Sequence, residues 1–195
     1  SGGPRRLVKV NVQTGVCTDI GSMGDNFSTL AFKTNGELYS ITGNGSSPLP
    51  PETMYTIDTL TGAPTFYRTL GNGADGEVIA FNPDDNFFYH WSGNGTVVWE
   101  RFATAVDPIQ PLTTPVNGEV FGALYAGAGK MWVSNISSTI RLWDIPTETS
   151  SAVLMNTPDD LRGLVRESCA SSITAGGPTL ICSGSNVLRT VNGGT

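Results

Sequence analysis

Asn26, Asp75, Asn117 and Asp159 (with Asp160 beside it) each stand just before a short apolar run, at similar intervals along the chain. Carboxylate and amide oxygens are the ligands that Ca²⁺ and Mg²⁺ prefer, so four such residues brought together could hold a divalent cation. The same residue types also close tight turns through their own side chains. That second reading asks less of the sequence, and on it the chain carries no cofactor. His90 is the only histidine, so a Ser-His-Asp triad would have to use it. It lies inside Phe87-Phe-Tyr-His-Trp-Ser92, a run that reads as strand, where a packed or surface histidine is expected rather than a catalytic one. Trp91 and Trp132 occupy equivalent places in two such runs. Their rings could stack on a sugar, or fill the space between sheets. No Gly-rich loop leads into a helix, so there is no nucleotide fingerprint. Nothing in the spacing of the acids selects a glycosidase pair.

Composition narrows the classes further. The net charge is −6, and no basic cluster exceeds Arg5-Arg6. A nucleic-acid or anionic-membrane partner would need a concentrated positive face, and none is encoded. No apolar stretch approaches the length that spans a bilayer. The charged fraction is only 14%, while 24 glycines and 12 prolines separate short apolar runs. That pattern suits many short strands joined by turns within one domain covering residues 1–195. The three cysteines, Cys17, Cys169 and Cys182, allow at most one internal disulfide. Cys169 and Cys182 flank a turn-rich segment and either pair across it or stay reduced. Few lysines and abundant Thr, Asn and Gly lean toward an extracellular or cell-surface setting.

The elements that must position these residues recur. One segment appears five times, starting at Arg6, Thr53, Thr96, Thr139 and Asn186, so that copies begin roughly 43 to 47 residues apart. Between copies comes first an apolar run holding small residues (27–32, 77–81, 120–125, 161–165). A second strand follows (37–42, 86–92, 130–135, 179–183), then the recurring segment, then a fourth strand (16–20, 64–70, 109–113, 152–155). Asn94-Gly95 between the second and third strands favours a tight hairpin. Four antiparallel strands at this period match one blade of a β-propeller. Neither a sandwich nor a barrel predicts such a constant period.

At these residues a resemblance can be named. Thr139-Ile-Arg-Leu-Trp-Asp-Ile145 looks like the third strand of a WD-repeat blade. Leu30-Ala-Phe-Lys-Thr-Asn-Gly-Glu-Leu-Tyr39, followed by Tyr55-Thr-Ile-Asp-Thr-Leu-Thr-Gly62, is similar to the degenerate repeats of secreted microbial β-propellers. The fold expected is therefore all-β, a propeller of about four four-stranded antiparallel blades, either a compact ring or part of a larger one. One third-strand copy is then spare, and its open edge invites pairing with another chain. The resemblance covers scaffolds, lectins, lyases and hydrolases, so it implies architecture more than activity. The function expected is a non-catalytic extracellular binding or scaffold module that contacts a protein or carbohydrate. The alternatives are a metal-dependent lactonase or lyase using acids at the channel mouth, and a structural stalk or surface-layer module.

Overall fold

A computed structural model describes residues 4–11, 13–71, 77–93, 97–115, 118–158, 161, 163–164, 181–183 and 186–188. The described residues form strands only. β1 (Arg6–Val10) and β2 (Cys17–Ser22) make a two-stranded antiparallel sheet. β3 (Phe27–Phe32), β4 (Leu38–Thr42), β5 (Thr53–Ile57) and β6 (Pro64–Thr69) form a four-stranded sheet in sequence order. β7 (Val78–Asn82), β8 (Phe87–Ser92), β9 (Val98–Phe102) and β10 (Gln110–Pro111) form a second. β11 (Val120–Gly127), β12 (Lys130–Asn135), β13 (Thr139–Asp144) and β14 (Thr149–Ser150) form a third, and β15 (Met155–Asn156) also pairs with β13. β16 (Ile181–Ser183) and β17 (Asn186–Leu188) make a last hairpin. All pairings are antiparallel, and among the described residues the sheets do not close into a ring.

The strands fall where the repeat predicts, with two differences. The fourth strand expected over 152–155 is instead split into β14, which precedes that range, and β15, which starts at its last residue. The apolar run expected as a strand over 161–165 has no strand among its described residues, 161, 163 and 164.

Burial follows strand position within each sheet. β4 is buried along its whole length, and β5, β7 and β8 nearly so, whereas β6 and β10 are largely exposed. Strands buried on both faces mean sheets stacked face to face, with the last strand of each and one face of β3 left at the surface. Alternation then assigns side chains to seams. Ile79, Phe88 and Phe102 pack toward the preceding sheet with Tyr39, Ile41 and Met54. Their neighbours Val78, Tyr89, Trp91 and Trp99 pack toward the following sheet with Tyr125, Met131 and Trp143. Leu7 and Met23 join Phe27, Leu38, Tyr55 and Ile57 beside the first hairpin.

One turn chemistry repeats between third and fourth strands. Asn11 Oδ1 accepts from the amides of Gln13 and Thr14, and Asp58 Oδ1 from those of Leu60 and Thr61. Asp144 Oδ1 accepts from the amide of Thr147. Each is an Asx-type turn, in which the side chain stands in for a backbone carbonyl. Gly15 and Gly62 end the first two at positive φ, and Glu148 holds the same place in the third at φ 50°. The second turn also meets the first hairpin: a Cβ on Gly21 would collide with the carbonyl oxygen of Thr61 and lie 2.8 Å from its carbon. Because the obstacle is backbone, Gly21→Ala is expected to lose roughly 1–3 kcal/mol by forcing β2 away from that turn. Urea unfolding measures this, and an unchanged midpoint would mean the hairpin is not held there.

Candidate functional site

Two places gather functional side chains: a groove along the first strands of three sheets, and a buried ionic cluster between two sheets. The groove has a volume of about 590 Å³ and runs over β3, β7 and β11. Gly122 and Ala123 keep its floor low, and Gly163 with Leu164 closes one side. The Gly163 amide donates to the carbonyl of Phe121 at 2.7 Å. A Cβ on Gly122 would come within 2.9 Å of Leu164, so glycine is what lets that segment approach. The other side carries Arg5, Arg6, Leu30 and Phe32. Leu30 and Phe32 are 49% and 59% exposed on β3, the first strand of its sheet. The Arg6 guanidinium pairs with Asp19, and Arg5 Nε donates to Asn26 Oδ1 at 3.1 Å.

Asn26 is the one proposed cation ligand that falls among the described residues; Asp75, Asn117 and Asp159 lie outside them. The amide oxygen of Asn26 is already engaged by Arg5. Its neighbour Asp25 is buried and accepts from the amides of Asn26, Ser47 and Leu49 at 2.7, 2.9 and 2.7 Å. Burial works to raise the Asp25 pKa, but these three N–H donors outweigh it and hold the carboxyl below its ordinary value. Asp25 therefore anchors the 43–50 loop. Among the described residues no group of three or more His, Cys, Asp or Glu side chains could hold a metal ion.

The tryptophans divide. Trp91 is wholly buried and meets Trp99 edge to face at 5.6 Å, so its ring presents no exposed face. Burial follows from the alternation of β8, which turns Trp91 into the seam with the third sheet. Trp132 is half-buried on β12. The proposed cysteine pair cannot be placed, since Cys169 and the side chain of Cys182 lie outside the described residues; Cys17 is exposed and free.

The buried cluster centres on His90, which has no exposed surface. Its Nε2 lies 2.5 Å from Glu77 Oε2, and its Nδ1 lies 2.9 Å from Glu100 Oε1. Ser92 donates its hydroxyl to the other Glu77 oxygen at 2.9 Å. Register explains the meeting: His90 is the cross-strand partner of both Ile79 and Glu100, and Ser92 lies two residues along the same face. Burial alone would depress the His90 pKa, but hydrogen bonds and charge from Glu100 and Glu77 overcome it and push it up to about 9. The ring is thus an imidazolium donating to two carboxylates. Both nitrogens are engaged and no water reaches them, so the chain's single histidine is not free to meet a substrate.

From the first sheet Glu52 approaches this cluster. It sits before β5 at φ 50°, its amide bonded to the Thr42 carbonyl and its own carbonyl to the Leu70 amide. Burial, then the nearby charge of Glu77, raises its carboxyl to about 7, against an opposing pull from His90. Sequence reading placed His90 on a packed strand but did not find Glu52, Glu77 or Glu100. The available signal was an acid on each strand flanking His90.

No family model and no curated protein matches the chain. Among solved structures it is similar to the computationally designed Ika4 protein, at 18% identity over 77% of this chain and 88% of that one, with a TM-score of 0.49. It is similar also to the computationally designed Ika8 protein, at 18% identity over 76% of this chain and 43% of that one, with a TM-score of 0.47. What the chain itself displays is an all-β fold of four-stranded antiparallel sheets.

Proposed function

We propose that the chain is a run of β-propeller blades serving as a non-catalytic, extracellular binding module. Its ligand is a protein segment seated in the groove along the inner strands. The constant repeat, the four-stranded sheets buried on both faces and the small residues of the innermost strands support the propeller reading. The observation that carries the binding reading is the exposure of Leu30 and Phe32 beside Arg5 in the groove. Large apolar side chains on an inner strand are normally covered, and exposed apolar surface rimmed by polar groups marks interaction sites. In a chain of net charge −6, Arg5, which bonds the neutral amide of Asn26 rather than a carboxylate, selects a segment carrying both acidic and apolar side chains.

A random peptide library displayed on phage tests this directly. Peptides retained by the wild type are expected to be rich in Asp or Glu next to Leu, Ile or Phe. The exposed substitution Phe32→Ser is expected to abolish retention while changing stability by no more than about 0.5 kcal/mol. Thermal unfolding with Ca²⁺, chelator and a glycan panel completes the test. A ligand bound only by the folded chain adds about 2.7 kcal/mol at a hundredfold excess over Kd. A shift with Ca²⁺ would move the site to the acids near Asn26, and a shift with a sugar would replace the peptide by a glycan. Retention unaffected by Phe32→Ser would remove the groove from consideration.

A further inference from the structure

Between the β3–β6 and β7–β10 sheets, titratable groups come from both sides. Glu77, His90 and Glu100 are contributed by one sheet, each almost wholly buried, and Glu52 by the other. Arg68 on β6 also faces this seam and interacts electrostatically with Glu100. Its Nη1, however, is committed to the carbonyls of Thr104 and Asp107, at 2.8 and 3.2 Å. Its guanidinium lies over the Phe102 ring, 4.4 Å from the centroid. With every acid ionised, three carboxylates would face one imidazolium in a space otherwise walled by Ile41, Met54, Ile79 and Phe88. Excess buried charge of that kind is costly, and a proton on one carboxyl relieves it.

We propose that this carboxylate–imidazole cluster is a pH-sensitive seam: protons held on it keep the two sheets together, and their loss as pH rises loosens the packing between the β3–β6 and β7–β10 sheets. Glu52 is the trigger. It is half-buried and reachable by solvent, whereas His90 is sealed. Its backbone is pinned by bonds to Thr42 and Leu70, and Leu70 and Met54, the latter two residues along the same face, both pack in this seam with Phe88, which sets Glu52 at its edge.

The direction of the effect follows from linkage. The Glu52 carboxyl titrates near 7 when folded and near 4.5 when unfolded, so the folded chain binds the extra proton between those values. Stability is full below the lower value and falls as pH rises toward the upper one. His90 acts in the same direction in a higher window: its contribution is full below 6.5 and is lost as pH passes about 9. Two steps of loss are expected, the first belonging to Glu52.

The test uses the full chain. Melting temperature is followed from about pH 5 to pH 9 for wild type and Glu52→Gln, which keeps the side chain's shape but cannot ionise. The wild type is expected to lose stability across the lower window, by roughly tenfold in its unfolding constant once solvent screening of Glu52 is allowed for. Glu52→Gln is expected to stay level there and to fall only in the upper window. Because His90 is the sole histidine, its ring protons give an unambiguous proton NMR signal. That signal is expected to stay unmoved through neutrality. Amide exchange, corrected for the intrinsic effect of pH, is expected to rise in β5 and β8 more than in β12. An equal pH slope in Glu52→Gln, a His90 titration near 6.5, or exchange rising uniformly across the sheets would each overturn the proposal.

Discussion

His90→Ala is expected to lower the unfolding free energy by about 3–5 kcal/mol, among the largest losses available to a single substitution in this chain. Two terms combine. Removing the imidazolium leaves Glu77, 1% exposed, and Glu100, 2% exposed, buried without the cation that joins them. It also leaves a cavity at the centre of β8, beside its cross-strand partner Ile79. The first term dominates, because an uncompensated buried carboxylate costs more than a missing side-chain volume. A comparison separates them: adding Glu77→Gln and Glu100→Gln to His90→Ala removes the charges but keeps the cavity. The triple variant is expected to recover a large part of the loss. Urea unfolding followed by tryptophan fluorescence measures all three proteins. A His90→Ala loss below about 1 kcal/mol would mean that the cluster is not held as an ionic bridge.

The architecture was legible because it is written several times over. Copies such as Thr53–Ile57 and Thr139–Asp144 are independent statements of one strand, so an error in one is corrected by the others. The last outer strand escaped because nothing near Ala152 alternates, and pairing there breaks into β14 and β15. The ionic cluster escaped for a sharper reason. A two-residue turn centred on Asn94-Gly95 would set His90 opposite Trp99. The register found sets His90 opposite Glu100 and Trp91 opposite Trp99. A slip of one residue exchanges the two faces of a strand. That single offset decides whether the histidine meets an acid or an indole, and composition and spacing do not supply it. The cation-site reading shows the converse difficulty. Asp and Asn before an apolar run have the right chemistry for a metal, yet at Asp25 and Asn26 that chemistry is spent on loop amides and on Arg5.

Trp99→Ala is expected to cost about 3–5 kcal/mol, comparable with the loss of His90 but arising from packing alone. Trp99 is 1% exposed and stands at the centre of an aromatic group that joins the second and third sheets. Its ring lies 5.6 Å from Tyr89 and Trp91 within its own sheet, and 5.2 Å from Trp143 across the seam at an interplanar angle of 89°. The edge-to-face pairs with Trp91 and Trp143 add about 0.5–1.5 kcal/mol each beyond area burial. Truncation therefore removes three ring contacts together with one of the three tryptophan side chains that fill the seam. The indole also carries a cost that the substitution relieves. Nε1 of Trp91, Trp99 and Trp143 is buried with no hydrogen-bond partner among the described residues, and an unpaired buried donor is destabilising. Trp99→Phe keeps a ring against Trp143 and removes one such donor, so its loss is expected to be only about 1 kcal/mol. Chemical unfolding of both variants, followed by circular dichroism so that the reporter is not the mutated residue, gives the ratio. If Phe costs as much as Ala, the indole N–H has a partner and the seam is held by a specific hydrogen bond. If neither costs much, the second and third sheets are joined elsewhere, and the edge-to-face contact with Trp143 is incidental to the fold.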